Sequence, residues 1–136
     1  MEHGLFMQRC FQLAKAGSGY VAPNPMVGAV LVYNQKVISE GFHKQFGYPH
    51  AEVEALNKNI SPAVFKKSTL YVNLEPCAHS GKTPPCTQLI ISKGIKHVVI
   101  SNLDPFPLVN GKGVEQLKQA GIRVTTGIRE QEGTYV

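Results

Sequence analysis

With 136 residues, 43% of them hydrophobic and 17% charged, the chain has the size and composition of one globular domain, which excludes a disordered or collagen-like polymer. Fourteen Lys and Arg against nine Asp and Glu give a net charge of +5, which favours an anionic partner. No apolar run approaches the roughly 20 residues of a membrane span, Met1-Glu2-His3-Gly4 does not open a secretion signal, and three cysteines are too few for a disulfide framework, so the chain reads as cytoplasmic with thiols reduced or bound to metal.

Leu5, Phe6, Cys10, Leu13 and Ala14 recur at helical spacing until Gly17-Ser18-Gly19, which tolerates left-handed backbone. Cys10 lies on that apolar stripe and reads as a core thiol. Val27 to Tyr33 and Lys36 to Phe42 are two β-rich runs around Asn34-Gln35, a hairpin whose turn lacks the favoured Gly. A short helix is predicted from Ala51, and Lys58 to Ser68 is predicted as a surface connection. Thr69 to Leu74 reads as a strand, Pro84-Pro85 introduces a helix that runs through Lys93 to Gly94, and His97 to Ser101 reads as another strand. Val114 to Ala120 is a helix closed by Gly121, Ile122 to Thr126 a last strand, and the tail after Ile128 is expected to fray. An antiparallel pair followed by alternating strand and helix predicts an α/β architecture: about five strands in a mixed sheet with helices on both faces.

His50-Ala51-Glu52 falls at a predicted helix start, Pro76-Cys77 follows a strand, and Cys86 opens another helix. One imidazole and two thiolates meet the needs of a catalytic zinc, which takes three protein ligands and keeps a fourth position for water. Such a metal brings the pKa of its water toward about 7, and Glu52 is left to carry the proton. H-x-E followed by P-C-x-x-C is the pattern of zinc deaminases; here the second interval is Cys77-x8-Cys86. In a continuous helix His50 and Glu52 would point to nearly opposite sides, so His50 must stand at or before the first turn. His79, two residues from Cys77, is a weaker candidate for a fourth ligand.

Asn24 stands between Pro23 and Pro25, which fix its backbone and would suit a side chain presented to a ligand or an ordinary rigid turn. PNPMVGAVLV from Pro23, GFH ending at His43, HAE at His50 to Glu52, LEPCAHSGKTPPC at Leu74 to Cys86 and GKG at Gly111 to Gly113 resemble the deaminase domain of the bifunctional riboflavin-biosynthesis deaminase/reductases. The resemblance covers nearly the whole chain. It implies the cytidine-deaminase-like three-layer α/β/α sandwich, one zinc per chain, and hydrolytic loss of ammonia from C2 of 2,5-diamino-6-ribosylamino-4(3H)-pyrimidinone 5′-phosphate. It makes His50, Cys77 and Cys86 the zinc ligands and Glu52 the proton shuttle, places Asn24, His43 and Lys82 at the substrate, and implies a homodimer or homotetramer; Asp104 is a further candidate at or beside the substrate. Lys82, between the cysteines, is a cation suited to a ribose phosphate; Asp104 reads equally as a loop cap.

Two departures qualify the resemblance. Asp104-Pro105-Phe106-Pro107 carries Phe106 where the family usually has Asn, and Phe offers no hydrogen bond to a phosphate or ribose. The sequence to Val136 has no G-x-G-x-x-G after a strand, so residues 1–136 are expected to be one deaminase domain without the family's reductase, either a stand-alone deaminase or a shortened form of a longer protein. A nucleic-acid-editing deaminase, such as a tRNA adenosine deaminase, is the rival within the same superfamily; the scattered basic residues (Lys15, Lys36, Lys66, Lys93, Lys118, Arg129) do not form the stripe that nucleic acid wants. A catalytically silent zinc module is the other rival, against which stand the three-ligand count and the free Glu52.

Overall fold

In the computed structural model, residues 2–22, 25–45, 47–78, 85–107 and 109–133 are described. Asn24, Lys82 and His79 lie outside them. The elements in chain order are α1 (His3–Lys15), β1 (Gly28–Tyr33), β2 (Lys36–Phe42), α2 (Ala51–Leu56), α3 (Pro62–Lys66), β3 (Thr69–Leu74), α4 (Cys86–Lys93), β4 (His97–Asn102), α5 (Lys112–Gln119), β5 (Arg123–Thr125) and α6 (Glu130–Gly133).

One five-stranded sheet runs in the order β2-β1-β3-β4-β5. β1 pairs antiparallel with both β2 and β3, and β3-β4 and β4-β5 are parallel. The parallel half follows from its connections, since a helix must carry the chain back before the next strand can run the same way. The hairpin turn is made without glycine: Asn34 and Gln35 both take positive φ, 51° and 63°, which matches the twist of the flanking strands.

Alternation along the strands builds two apolar layers. Val30 and Val32 face Met7, Cys10, Phe11 and Leu13 of α1, together with Tyr71 and Val99. Ala29 and Leu31 face the opposite way, into a larger cluster with Ala55 and Leu56 of α2, Phe65, Leu70, Val72, Ile90 of α4, Val98, Ile100 and Leu117 of α5. The result is the three-layer sandwich expected from the sequence. Cys10 is wholly buried, and burial pushes its thiol far above the ordinary range, as suits an inert core residue.

Two segments differ from expectation. The predicted connection from Lys58 to Ser68 contains α3, because Pro62 at its first turn and the Ser61 hydroxyl, which accepts from the Val64 N–H, start a helix and bury Phe65 against the core. Of the segment predicted to fray, the described residues 129–133 instead dock: the Arg129 side chain donates to the Gly4 carbonyl at 2.9 Å and Asn102 donates to the Glu130 carbonyl at 3.1 Å, while Ile128, just before them, packs on the α1 side. Neither segment carries an apolar period long enough to register in the sequence.

Candidate active site

The carboxyl end of β3 and the amino ends of α2, α4 and α5 meet on one side of the sheet. His50 is the N-cap of α2, with extended backbone at φ −67° and ψ 164°. That conformation removes the conflict of an i, i+2 pair on a continuous helix: His50 turns outward before the first turn while Glu52, inside it, turns to the core at 4% exposure. α2 is pressed close to β2 at Gly41, where a Cβ would lie 2.5 Å from the Ala51 carbonyl oxygen.

His50, Cys77 and Cys86 converge, their ligand atoms all within 4.8 Å of one another. Cys86 Sγ lies 3.4 Å and Cys77 Sγ 4.0 Å from His50 Nδ1. Tetrahedral zinc with Zn–S of about 2.3 Å and Zn–N of about 2.0–2.1 Å has ligand edges of roughly 3.5–3.8 Å, so this triangle fits that ion with small adjustments. The electrostatics agree. The Cys86 thiol, together with its backbone N–H and His50, draws Cys77 down to about 4, whereas hydrogen bonding to the Cys77 thiolate and burial push Cys86 upward. One negative charge is thus held between two sulfurs, and a divalent cation among them lets both ionise.

Burial lifts the Glu52 carboxyl to about 7, the Cys77 thiolate adding to the rise while its own backbone N–H, His50 and the Cys86 thiol oppose it. A carboxyl near neutrality takes up and releases a proton with comparable ease. Hydrogen bonding to the Cys77 thiolate holds the His50 imidazole above its ordinary value.

His43 is buried, donates from Nδ1 to the Pro49 carbonyl at 3.1 Å, and meets the His50 ring edge-on with centroids 5.3 Å apart. It braces the turn that delivers His50. Asp104 lies with Cys77, Lys112 and Gln116 on a cavity of about 100 Å³. Its side chain accepts from the Phe106 N–H at 2.9 Å, the loop-capping arrangement. The structure thus brings His43, His50, Glu52, Cys77, Cys86 and Asp104 to one side of the sheet. Phe106 is exposed.

Two residues of the site went unnoticed in the sequence. Glu75, buried at the end of β3, accepts from the N–H groups of Asp104 and Gly111 through Oε1 and of Val114 through Oε2, each at 3.0 Å. It supplies the negative charge that the start of α5 favours and ties the 104–111 loop to the cysteine turn. A Glu beside Pro76-Cys77 was its only signal. Gln116, on α5, bonds to Ala78 and Thr87, and nothing in the sequence marked it.

The sequence matches the family described as the cytidine and deoxycytidylate deaminase zinc-binding region over residues 1–102. It is 52% identical over 125 residues to the riboflavin biosynthesis protein RibD of Synechocystis sp., covering 92% of this chain and 33% of that protein. To the diaminohydroxyphosphoribosylamino-pyrimidine deaminase of Buchnera aphidicola subsp. Schizaphis graminum it is 49% identical over 132 residues, covering 97% of this chain and 88% of that one. Its fold superposes on Acinetobacter baumannii RibD with a TM-score of 0.93 at 46% identity, over 98% of this chain and 37% of that one. The chain spans about a third of the length of the RibD proteins it matches.

Proposed function

This chain belongs to the cytidine and deoxycytidylate deaminase zinc-binding family, and on that premise we propose that it hydrolyses 2,5-diamino-6-ribosylamino-4(3H)-pyrimidinone 5′-phosphate to 5-amino-6-(5-phosphoribosylamino)uracil and ammonia, a step of riboflavin biosynthesis. The observation that carries this is the convergence of three soft donors, His50, Cys77 and Cys86, beside a buried carboxyl raised toward neutrality. The substrate follows from the name of the Buchnera relative, which this chain matches over nearly its whole length.

His50, Cys77 and Cys86 would hold one zinc ion, which when bound acidifies a water and so supplies the nucleophile. The chain does the rest. A Glu52 carboxylate oxygen takes the proton from the attacking water, gives it to the ring nitrogen next to the reacting carbon, and serves again when the exocyclic amine departs as ammonia. Burial of Glu52 keeps that proton from bulk solvent and strengthens its interactions. His43 holds the turn before His50. Asp104 lines the cavity beside Cys77, where its carboxylate has an acceptor for a substrate hydroxyl or amine; Asn24 and Lys82 join it in the proposal by resemblance alone.

One sheet with helices packed on it supports reading the chain as a single deaminase domain, and its charge of +5 suits a small phosphorylated pyrimidine. A cytoplasmic setting is consistent with thiolate ligands, which oxidation would remove. Assembly as a homodimer or homotetramer rests on the resemblance. Among the described residues no helix is long and apolar enough to cross a membrane.

The test is ammonia release from the pyrimidine ribotide by zinc-loaded protein, run beside cytidine, dCMP and an adenosine-containing tRNA. Turnover of the ribotide with none of the others is expected. Preference for tRNA would replace this reading by the editing one, and silence on all four would favour a non-catalytic zinc module.

A further inference from the structure

Cys77 and Cys86 are eight intervening residues apart, so local chain geometry does not set one sulfur against the other, and the entropy of closing that interval must be offset by contacts. Backbone donors of the second segment meet the first, the Cys86 N–H donating to Cys77 Sγ and the Thr87 N–H to the Cys77 carbonyl, both at 3.2 Å, and His50 Nδ1 lies near both sulfurs. A further brace comes from α5. On α5, Gln116 Oε1 accepts from the Thr87 hydroxyl at 2.6 Å, and Gln116 Nε2 donates to the Ala78 carbonyl at 3.1 Å. Thr87 follows Cys86 and is wholly buried; Ala78 follows Cys77. A single amide therefore bridges the residues next to both cysteines.

The base of this bridge is firm. α5 is pinned to the cysteine turn by Glu75, which accepts from the Gly111 and Val114 N–H groups. Gly113 approaches so closely that a Cβ would lie 2.2 Å from the Pro76 carbonyl oxygen. Gln116 thus projects from an element already fixed to one cysteine segment and reaches the other. We infer that Gln116 is a positioning residue for the metal centre: it sets the separation of the Cys77 and Cys86 sulfurs, and with it the lifetime of the bound zinc, through Ala78 and Thr87. This rests on the proposed zinc centre of His50, Cys77 and Cys86.

The experiment follows transfer of zinc from the loaded protein to a chromogenic chelator in the parent, Gln116→Met, Thr87→Val and the double variant. Methionine keeps the length and packing of glutamine while removing both hydrogen bonds, and valine removes only the hydroxyl. Gln116→Met should release zinc roughly tenfold faster, within the range for groups that support metal ligands. Thr87→Val should show part of that acceleration, and the double variant should be no faster than Gln116→Met, because both act on one bridge. The cobalt-substituted Gln116→Met protein should also show a shifted visible d–d band. Parent-like release and spectrum in Gln116→Met, or additive effects in the double variant, would overturn the inference. Should Gln116→Met not fold, a Thr87→Val release rate equal to the parent's overturns it. A parent that holds no zinc removes the centre itself, an outcome distinct from a zinc-binding parent with an indifferent Gln116→Met.

Discussion

As the proposed proton shuttle, Glu52 meets two opposed demands: it must be buried to keep its proton in the site, yet burial penalises its charged form. The compromise is a carboxyl near neutrality. Glu52→Gln keeps the shape and removes the basic oxygen, so kcat should fall by roughly 10²–10⁴ while zinc stoichiometry by metal analysis stays near one per chain; retained turnover would contradict the shuttle. A second buried titrating group lies away from the site. His97 accepts at Nδ1 from Arg123 at 3.2 Å and contacts the Thr125 hydroxyl at 2.9 Å through Nε2. Burial, with the Arg123 and His3 charges adding, pushes it down to about 4 from an ordinary 6.5. Between those values the unfolded chain binds a proton that the folded chain refuses. The stability His97 contributes is therefore complete above about 6.5 and is lost progressively as pH falls toward about 4. Urea midpoints at pH 7, 6 and 5 should decline in the parent and decline less in His97→Gln.

At the scale of elements, the site is made by helix starts. α2 begins one residue after His50, α4 begins at Cys86, and the start of α5 is capped by Glu75. Each start presents backbone N–H groups, which favour anionic thiolates and carboxylates. The closest seam is that between α5 and the Pro76-Cys77 turn. In Gly113→Ala the new Cβ would meet backbone, and the roughly 1–3 kcal/mol cost of overpacking should exceed the gain of about 1 kcal/mol in helix propensity. A lower urea midpoint with unchanged m-value, together with weaker zinc retention, is the expected outcome. By contrast, the Arg9–Glu40 pair between α1 and β2 is bidentate at 2.6 and 2.9 Å but open to solvent, and such pairs contribute only about 0–1 kcal/mol.

At the scale of the molecule, zinc would join His50 at the start of α2 to two cysteine segments whose separation otherwise depends on α5, so metal binding and folding are linked. Stripping zinc with a chelator should lower the thermal midpoint, restoring zinc should recover it, and Cys86→Ser should show the low midpoint with or without added metal. The strands, the hairpin, the layer order and the donor set were all legible in the sequence. Each depends on local pattern or on the chemistry of residue types: β-rich runs broken by turn residues mark the strands, alternation of strand and helix implies helices on both faces, and H-x-E with P-C points to a metal. α3 went unread because so short a helix shows no apolar period, although its Ser61-Pro62 start is local. The docking of Arg129 and the roles of Glu75 and Gln116 were not legible either. Those depend on which backbone groups and side chains meet across 28 to 125 residues of chain, and no window of sequence contains both partners. The sequence by itself determined the chemistry that the site can perform, because ligand and proton-carrier types are properties of residues. The tertiary structure alone decided how the two cysteine segments are held at metal-binding distance, because that separation is set by a third element, α5, packed from the far end of the chain.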